Sequence, residues 1–173
     1  PIGLIDASVG GATVEAWTSR KKLQNLKGTE LLIDEWDKKI SNYDANKSLN
    51  EKIKRWEKDS ERRKDRGEKP NPKPTKPDQD PATDRNNPGA SYNAMIAPIS
   101  GLNISGAVFN QGYNNALGNA RPSLYRQTFK AMIEDWRRAF RNDKMPFCII
   151  GLTAGGEPQT YENFELRTTD PAP

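Results

Sequence analysis

The sequence predicts an α/β domain, a mostly parallel sheet covered by helices and interrupted by a charged helical excursion. Three observations predict it. Apolar runs open at Gly3, Ile104 and Met145 and read as strands apolar on both faces, as in a buried parallel sheet. Stretches of helical periodicity lie between them. The resulting order is strand, helix, excursion, helix, strand, helix, strand, the alternation of a sheet with covering helices.

Composition bounds the rest. The chain has 173 residues, 34% hydrophobic and 29% charged. The polar bias is concentrated in one segment. Net charge is only +4, from 27 basic and 23 acidic residues, so a pI near 9.2 does not argue for nucleic acid. No run approaches the roughly 18 apolar residues of a membrane span. No signal peptide is expected, since Pro1 leads straight into the first apolar run. The lone Cys148 sits in a strand-like run and is expected as a buried thiol. The sequence contains no histidine, which excludes an internal Ser-His-Asp or Cys-His site and most zinc sites. No cofactor or metal-ligand set is predicted.

The first apolar run, Gly3-Leu-Ile-Asp-Ala-Ser-Val, reads as a buried parallel strand entering a Gly10-Gly11 loop. Thr13 is the expected cap of a helix starting at Val14, with Glu15 in its first turn beside the helix dipole. Ala16, Trp17 and Arg20 to Lys22 continue that helix. Residues 1–28 and 91–173 are read as one α/β domain.

Residues 29–66 are a helical excursion. Thr29 is the expected N-cap, and Leu32, Trp36, Ile40 and Tyr43 form an apolar stripe. Leu49, Ile53 and Trp56 repeat the spacing on another face, so two helices are favoured over one rod. Lys58 to Arg66 is almost wholly charged, a solvated face with acids among the bases. Trp36 and Trp56 read as core between the excursion helices, with an interaction surface as the sharper alternative. Residues 67–90 are a Pro-rich linker, extended and polyproline-like.

The domain resumes at Ser91, with a short helix stopped near Pro98. The strand Ile104 to Phe109 follows. Ser123 is the expected cap of the next helix, whose Tyr125, Phe129, Met132, Ile133, Trp136 and Phe140 recur at three and four. Met145-Pro-Phe-Cys-Ile-Ile-Gly-Leu-Thr is the last strand, and the end from Thr168 reads as frayed.

In parallel sheets ligands bind at the C-terminal strand ends. Three loops are expected to gather there: Asp6 to Thr13, Asn110 to Asn115, and Thr153 to Glu157. The second collects uncharged amides, Asn110, Gln111, Asn114 and Asn115, around Gly112 and Tyr113. Backbone N–H donors at Gly10 and Gly11 beside a neutral amide at Gln111 are what an oxyanion hole requires. The alternative reading of the Gly-Gly loop is a tight turn without a ligand. No nucleophile with a base accompanies these donors.

Four segments carry a resemblance. Gly3 to Trp17 resembles G-L-I-x-x-S-W-G-G-T-x-I-E-A-W of bacterial sialate O-acetylesterase-like proteins. Tyr92-Asn-Ala-Met-Ile-Ala-Pro resembles L-Y-N-G-M-I-x-P. Gly106-Ala-Val-Phe-Asn-Gln-Gly-Tyr-Asn-Asn-Ala resembles G-A-I-W-Y-Q-G-E-S-N-A. Tyr125 to Trp136, with Met145-Pro-Phe, resembles Y-R-x-x-F-x-x-L-I-x-D-W-R and its P-F strand. The resemblance implies an SGNH-type hydrolase with a three-layer α/β/α, flavodoxin-like fold. It implies removal of O-acetyl groups from sugars, sialic acids among them, by a Ser-His-Asp site. On that pattern Gly10, Gly11 and Gln111 are oxyanion-hole candidates, and Asn110, Tyr113 and Asn114 face the acetylated carbohydrate. The family's serine block and Asp-x-x-His block are not in these residues. They would come from flanking segments of the same protein or from another chain, and this chain alone is expected to be inactive. Related esterases often act in the periplasm or are secreted. Tyr113-Asn114 replaces the family's Glu-Ser, which removes a carboxylate from the site and argues against unaltered acetylesterase specificity. The alternative is a relative that no longer catalyses and binds a glycan or a protein.

Overall fold

The computed structural model describes residues 3–116 and 122–150. The chain divides into two units, one of residues 1–33 and 85–173, the other of residues 34–84. Its described α-helices are α1 (Arg20–Gln24), α2 (Glu30–Ser41), α3 (Ala45–Asp65), α4 (Tyr113–Ala116) and α5 (Pro122–Ala139). Strands β1 (Ala107–Asn110) and β2 (Phe147–Ile150) pair in parallel, Ala107 opposite Phe147 and Asn110 opposite Ile150. A parallel pair needs a long crossover, and α4 and α5 lie within it. The fold is therefore α/β.

The stripe on α5 makes the core of the first unit. Met132, Trp136 and Phe140 are buried, and Tyr125, Phe129 and Ile133 pack against the same cluster. Trp136 meets Trp17 and Phe109 edge-on, with ring centroids 6.1 and 6.0 Å apart. Its indole N–H donates to Trp17 O at 2.8 Å, so the polar end of this large ring is satisfied inside the core.

The first apolar run departs from expectation. Residues 3–9 form no strand; Leu4 is 94% exposed and Ile5 54%. A strand needs partners for its backbone groups, and the described sheet consists of β1 and β2. Ala7 and Val9 alone of this run reach the core. Cys148 is likewise exposed rather than buried. It lies opposite Val108, itself 72% exposed, on the sheet face turned away from Phe109. Continuous apolarity signals burial on both faces only where something covers both.

The helix expected from Val14 is also broken. Val14–Trp17 is a single 3₁₀ turn, and α1 begins anew at Arg20, where the Ser19 hydroxyl accepts from Lys22 N at 3.2 Å. Thr13 contributes no side-chain cap. The hydroxyl of Thr29 points backwards too, donating to Leu23 O at 2.5 Å and Leu26 O at 2.7 Å instead of capping α2. Gly89 closes the chain onto the 3₁₀ turn, its N–H donating to Glu15 O at 3.0 Å. Its φ is +85°, and a Cβ there would lie 3.1 Å from Arg20 N, so only glycine suits the position.

The second unit contains the rest of α2 and all of α3. Asp44 interrupts the helical run and caps α3, accepting from Lys47 N at 2.8 Å. Two helices result, as the phase change in the apolar stripe implies. The Pro-rich segment is held locally. Asp78 pairs with Lys52 at 3.0 Å and Arg55 at 3.1 Å, and the Trp56 indole donates to Asn71 O at 2.7 Å. Trp36 and Trp56 are half-buried rather than core, each with a lysine over its ring, Lys39 at 4.9 Å and Lys73 at 5.9 Å. Among the described residues no helix is long and apolar enough to cross a membrane.

Candidate functional site

The site forms where the end of β1 meets the turn after residue 9. Ala12 N donates to Val9 O at 3.3 Å, which closes the turn around Gly10 and Gly11. Gly11 has φ +79°, a conformation that L side chains rarely adopt. Both glycines are exposed.

Side chains fix this turn from outside it. Arg85 Nη1 donates to Gly10 O at 2.6 Å, and Asn114 Nδ2 donates to Gly11 O. Gln111 Nε2 donates to Ala12 O at 3.2 Å. Thr13 N donates to Asn86 Oδ1 at 2.8 Å, and Val14 N to Asn115 Oδ1 at 2.9 Å. The successive carbonyls at 10, 11 and 12 and the N–H groups at 13 and 14 are thus all held by side chains. The described hydrogen bonds leave the N–H groups of Gly10 and Gly11 without a partner.

A second layer lies beneath. Asn115 is buried, and its Nδ2 donates to the buried Glu15 carboxylate, 2.8 Å from Oε2 and 3.2 Å from Oε1. Gln111 Nε2 donates to Asn115 Oδ1 at 2.6 Å. The Tyr125 hydroxyl donates to Gln111 O at 3.2 Å. Its pKa is raised, first by burial and then by the negative charge of Glu15.

The structure brings two of the three expected loops together; the third, Thr153 to Glu157, lies outside the described residues. Asn110 is exposed at the end of β1, and Tyr113 is 63% exposed at the start of α4. Asn114 and Gln111 are half-buried. No histidine stands near either loop, and the serines of this region have other partners. Ser8 Oγ donates to Asp6 Oδ1 at 2.6 Å, while Ser19 caps α1. The arrangement can offer N–H donors to a negative charge; it cannot generate a nucleophile. No group of residues suited to hold a metal occurs among the described residues.

Sequence reasoning missed the supporting residues. Glu15 reads as a helix-dipole residue because a single turn has no amphipathic face; Val14, Glu15, Ala16 and Trp17 are all buried. Asn115 was visible only as one amide among several. Arg85 and Asn86 fall in a stretch that reads as linker, and nothing in its composition announces a role.

Comparison with known proteins bears on this loop pair. No family model matches the chain, and no solved structure gives a significant match. Curated relatives do. Sialate O-acetylesterase of Rattus norvegicus is 31% identical over 147 residues, 82% of this chain and 23% of that protein. The proteins of the same name from Pongo abelii and Homo sapiens are each 29% identical over 161 residues, 89% of this chain and 22% of theirs. These matches relate the chain to the carbohydrate esterases. Within them, the relationship is sialate O-acetylesterase-like. The chain spans less than a quarter of the length of these curated relatives.

Proposed function

We propose that this chain supplies the oxyanion-stabilising part of a carbohydrate O-acetylesterase of the sialate type. What carries the reading is the Gly10-Gly11 turn, whose carbonyls are tied to Arg85 and Asn114 while its N–H groups stay open. A serine from outside these residues attacks the acetyl carbonyl, and an imidazole, also from outside, takes its proton. The carbonyl oxygen becomes an oxyanion held by the Gly10 and Gly11 N–H groups and the Gln111 amide. Collapse expels the sugar alkoxide, which takes the imidazolium proton. Water then hydrolyses the acetyl-serine. Asn110, Tyr113 and Asn114 face the sugar. The setting is periplasmic or extracellular.

The test is hydrolysis of an aryl acetate. The 173-residue chain alone is expected to give no turnover above buffer. Joined to segments bearing the serine and the Asp/His pair, it is expected to turn over. There Gln111→Ala should lower kcat by about a hundredfold with KM little changed, the usual loss of one oxyanion donor. Turnover by the chain alone, or an unchanged kcat in the variant, overturns the assignment. A second reading, a non-catalytic glycan binder, is favoured by Tyr113, an exposed aromatic where relatives of the pattern carry a carboxylate. Retained sialoglycan binding without turnover in the joined protein would select it.

A further inference from the structure

The layer beneath the turn carries one inference more, whose catalytic meaning rests on the esterase reading. A carboxamide has two chemically opposite ends, and inverting it exchanges a donor for an acceptor. Here fixed groups decide which end is which. The Val14 N–H can only donate, so the Asn115 atom 2.9 Å away is Oδ1. The other end of the Asn115 amide is then Nδ2, which donates to Glu15 Oε2 at 2.8 Å. Asn115 Oδ1 in turn requires a donor, and finds Gln111 Nε2 at 2.6 Å. Ala12 O, 3.2 Å from the same nitrogen, requires a donor as well. Gln111 Oε1 is left over, buried and without a hydrogen-bond partner.

We propose that Glu15 is a positioning residue: together with the Val14 N–H it holds Asn115, and through Asn115 it helps to set which end of the Gln111 amide faces the Gly10–Ala12 turn. The Gln111 protons are then unequal. The one on Asn115 makes the shorter bond and locks the side chain. The one on Ala12 O makes the longer bond and is the proton that can pass to a developing oxyanion, where the charge strengthens the bond. An inverted Gln111 would put Oε1 against Ala12 O and Asn115 Oδ1, acceptor against acceptor, and would turn its donors away from the Gly10–Ala12 turn. The unpartnered, buried Oε1 is a cost that this polarity imposes.

Glu15→Gln tests this, since it keeps the shape and removes the sign: a glutamine can meet Asn115 with either end. The readout is hydrogen exchange of side-chain amide protons, followed by ¹⁵N NMR in the 173-residue chain without any turnover. In the unaltered chain the Gln111 protons are expected to exchange about tenfold or more slower than those of the exposed Gln127. In Glu15→Gln that protection should fall by about threefold or more, while the Trp136 indole proton keeps its own. Gln111 exchanging as fast as Gln127 in the unaltered chain overturns the proposal, and this arm decides even if the variant fails to fold. Unchanged Gln111 protection in Glu15→Gln overturns it too, as does equal loosening of Trp136, which would mean a general loss of structure. Because no arm reads activity, failure here is distinct from failure of the esterase reading.

Discussion

Asn115 is the residue on which the site most depends. Its amide satisfies the Val14 N–H, the Gln111 amide and one buried carboxylate at once. Asn115→Leu keeps the bulk and removes every partner. Glu15 would then remain buried without its donor, and Val14 N–H without its acceptor. We expect a loss of about 3 kcal/mol, within the range for stranding a buried charge and a buried donor. The shift of the urea midpoint measures it; a loss under about 1 kcal/mol would mean that water replaces the amide. This residue also shows how legible the site was. Its amide was visible in the sequence, and so was the glycine turn. Its partner Glu15 was not, because a buried carboxylate leaves no periodic trace in a turn that is buried all round.

At the scale of elements, legibility followed periodicity. The α5 stripe was readable because helix spacing repeats over several turns, and its residues do form the core. The strands expected from Ile104 to Phe109 and from Met145 onward are found, within the described residues, as 107–110 and 147–150, where each has the other as partner. The run at 3–9 also opens on apolar residues but has no strand partner among the described residues, so apolarity alone misled. How α1 meets α5 was not readable at all. The Ser19 N–H donates to Asp135 Oδ2 at 2.8 Å, and Lys22 reaches Glu134 at 2.6 Å. Lys22, by its hydrogen bond, holds the Glu134 carboxyl below its ordinary value of 4.5. A folded pKa lower than the unfolded one contributes stability above the unfolded value and loses it as pH falls through the folded one. Lys22→Met should therefore destabilise at neutral pH and have no such effect in acid well below pH 4.5. Glu134 is 44% exposed, so solvent limits the neutral-pH loss to less than about 1 kcal/mol. Urea midpoints at the two pH values check it, and an effect that grows in acid contradicts it.

For the molecule as a whole, the described residues leave one sheet face open. Val108 and Cys148 lie on it, side by side. Val108→Lys should change stability by less than about 0.5 kcal/mol, as at any exposed site. It should also reduce binding of a fluorescent apolar dye, since it breaks an apolar patch. A loss of several kcal/mol would mean that the face is covered in solution.

The bonds that hold the glycine turn also have a consequence for chain entropy. Thr13 reaches Asn86 across 73 residues, Val14 reaches Asn115 across 101, and Trp136 reaches Trp17 across 119. Residues 34–84 lie inside every loop that these bonds close. Loop closure costs grow only with the logarithm of length, about 0.6 kcal/mol for each doubling. Lengthening the excursion, or trimming it while its ends still reach, therefore changes little in the stability of the turn. Contacts so distant in sequence also form slowly, so the turn should be among the last parts to order as the chain folds.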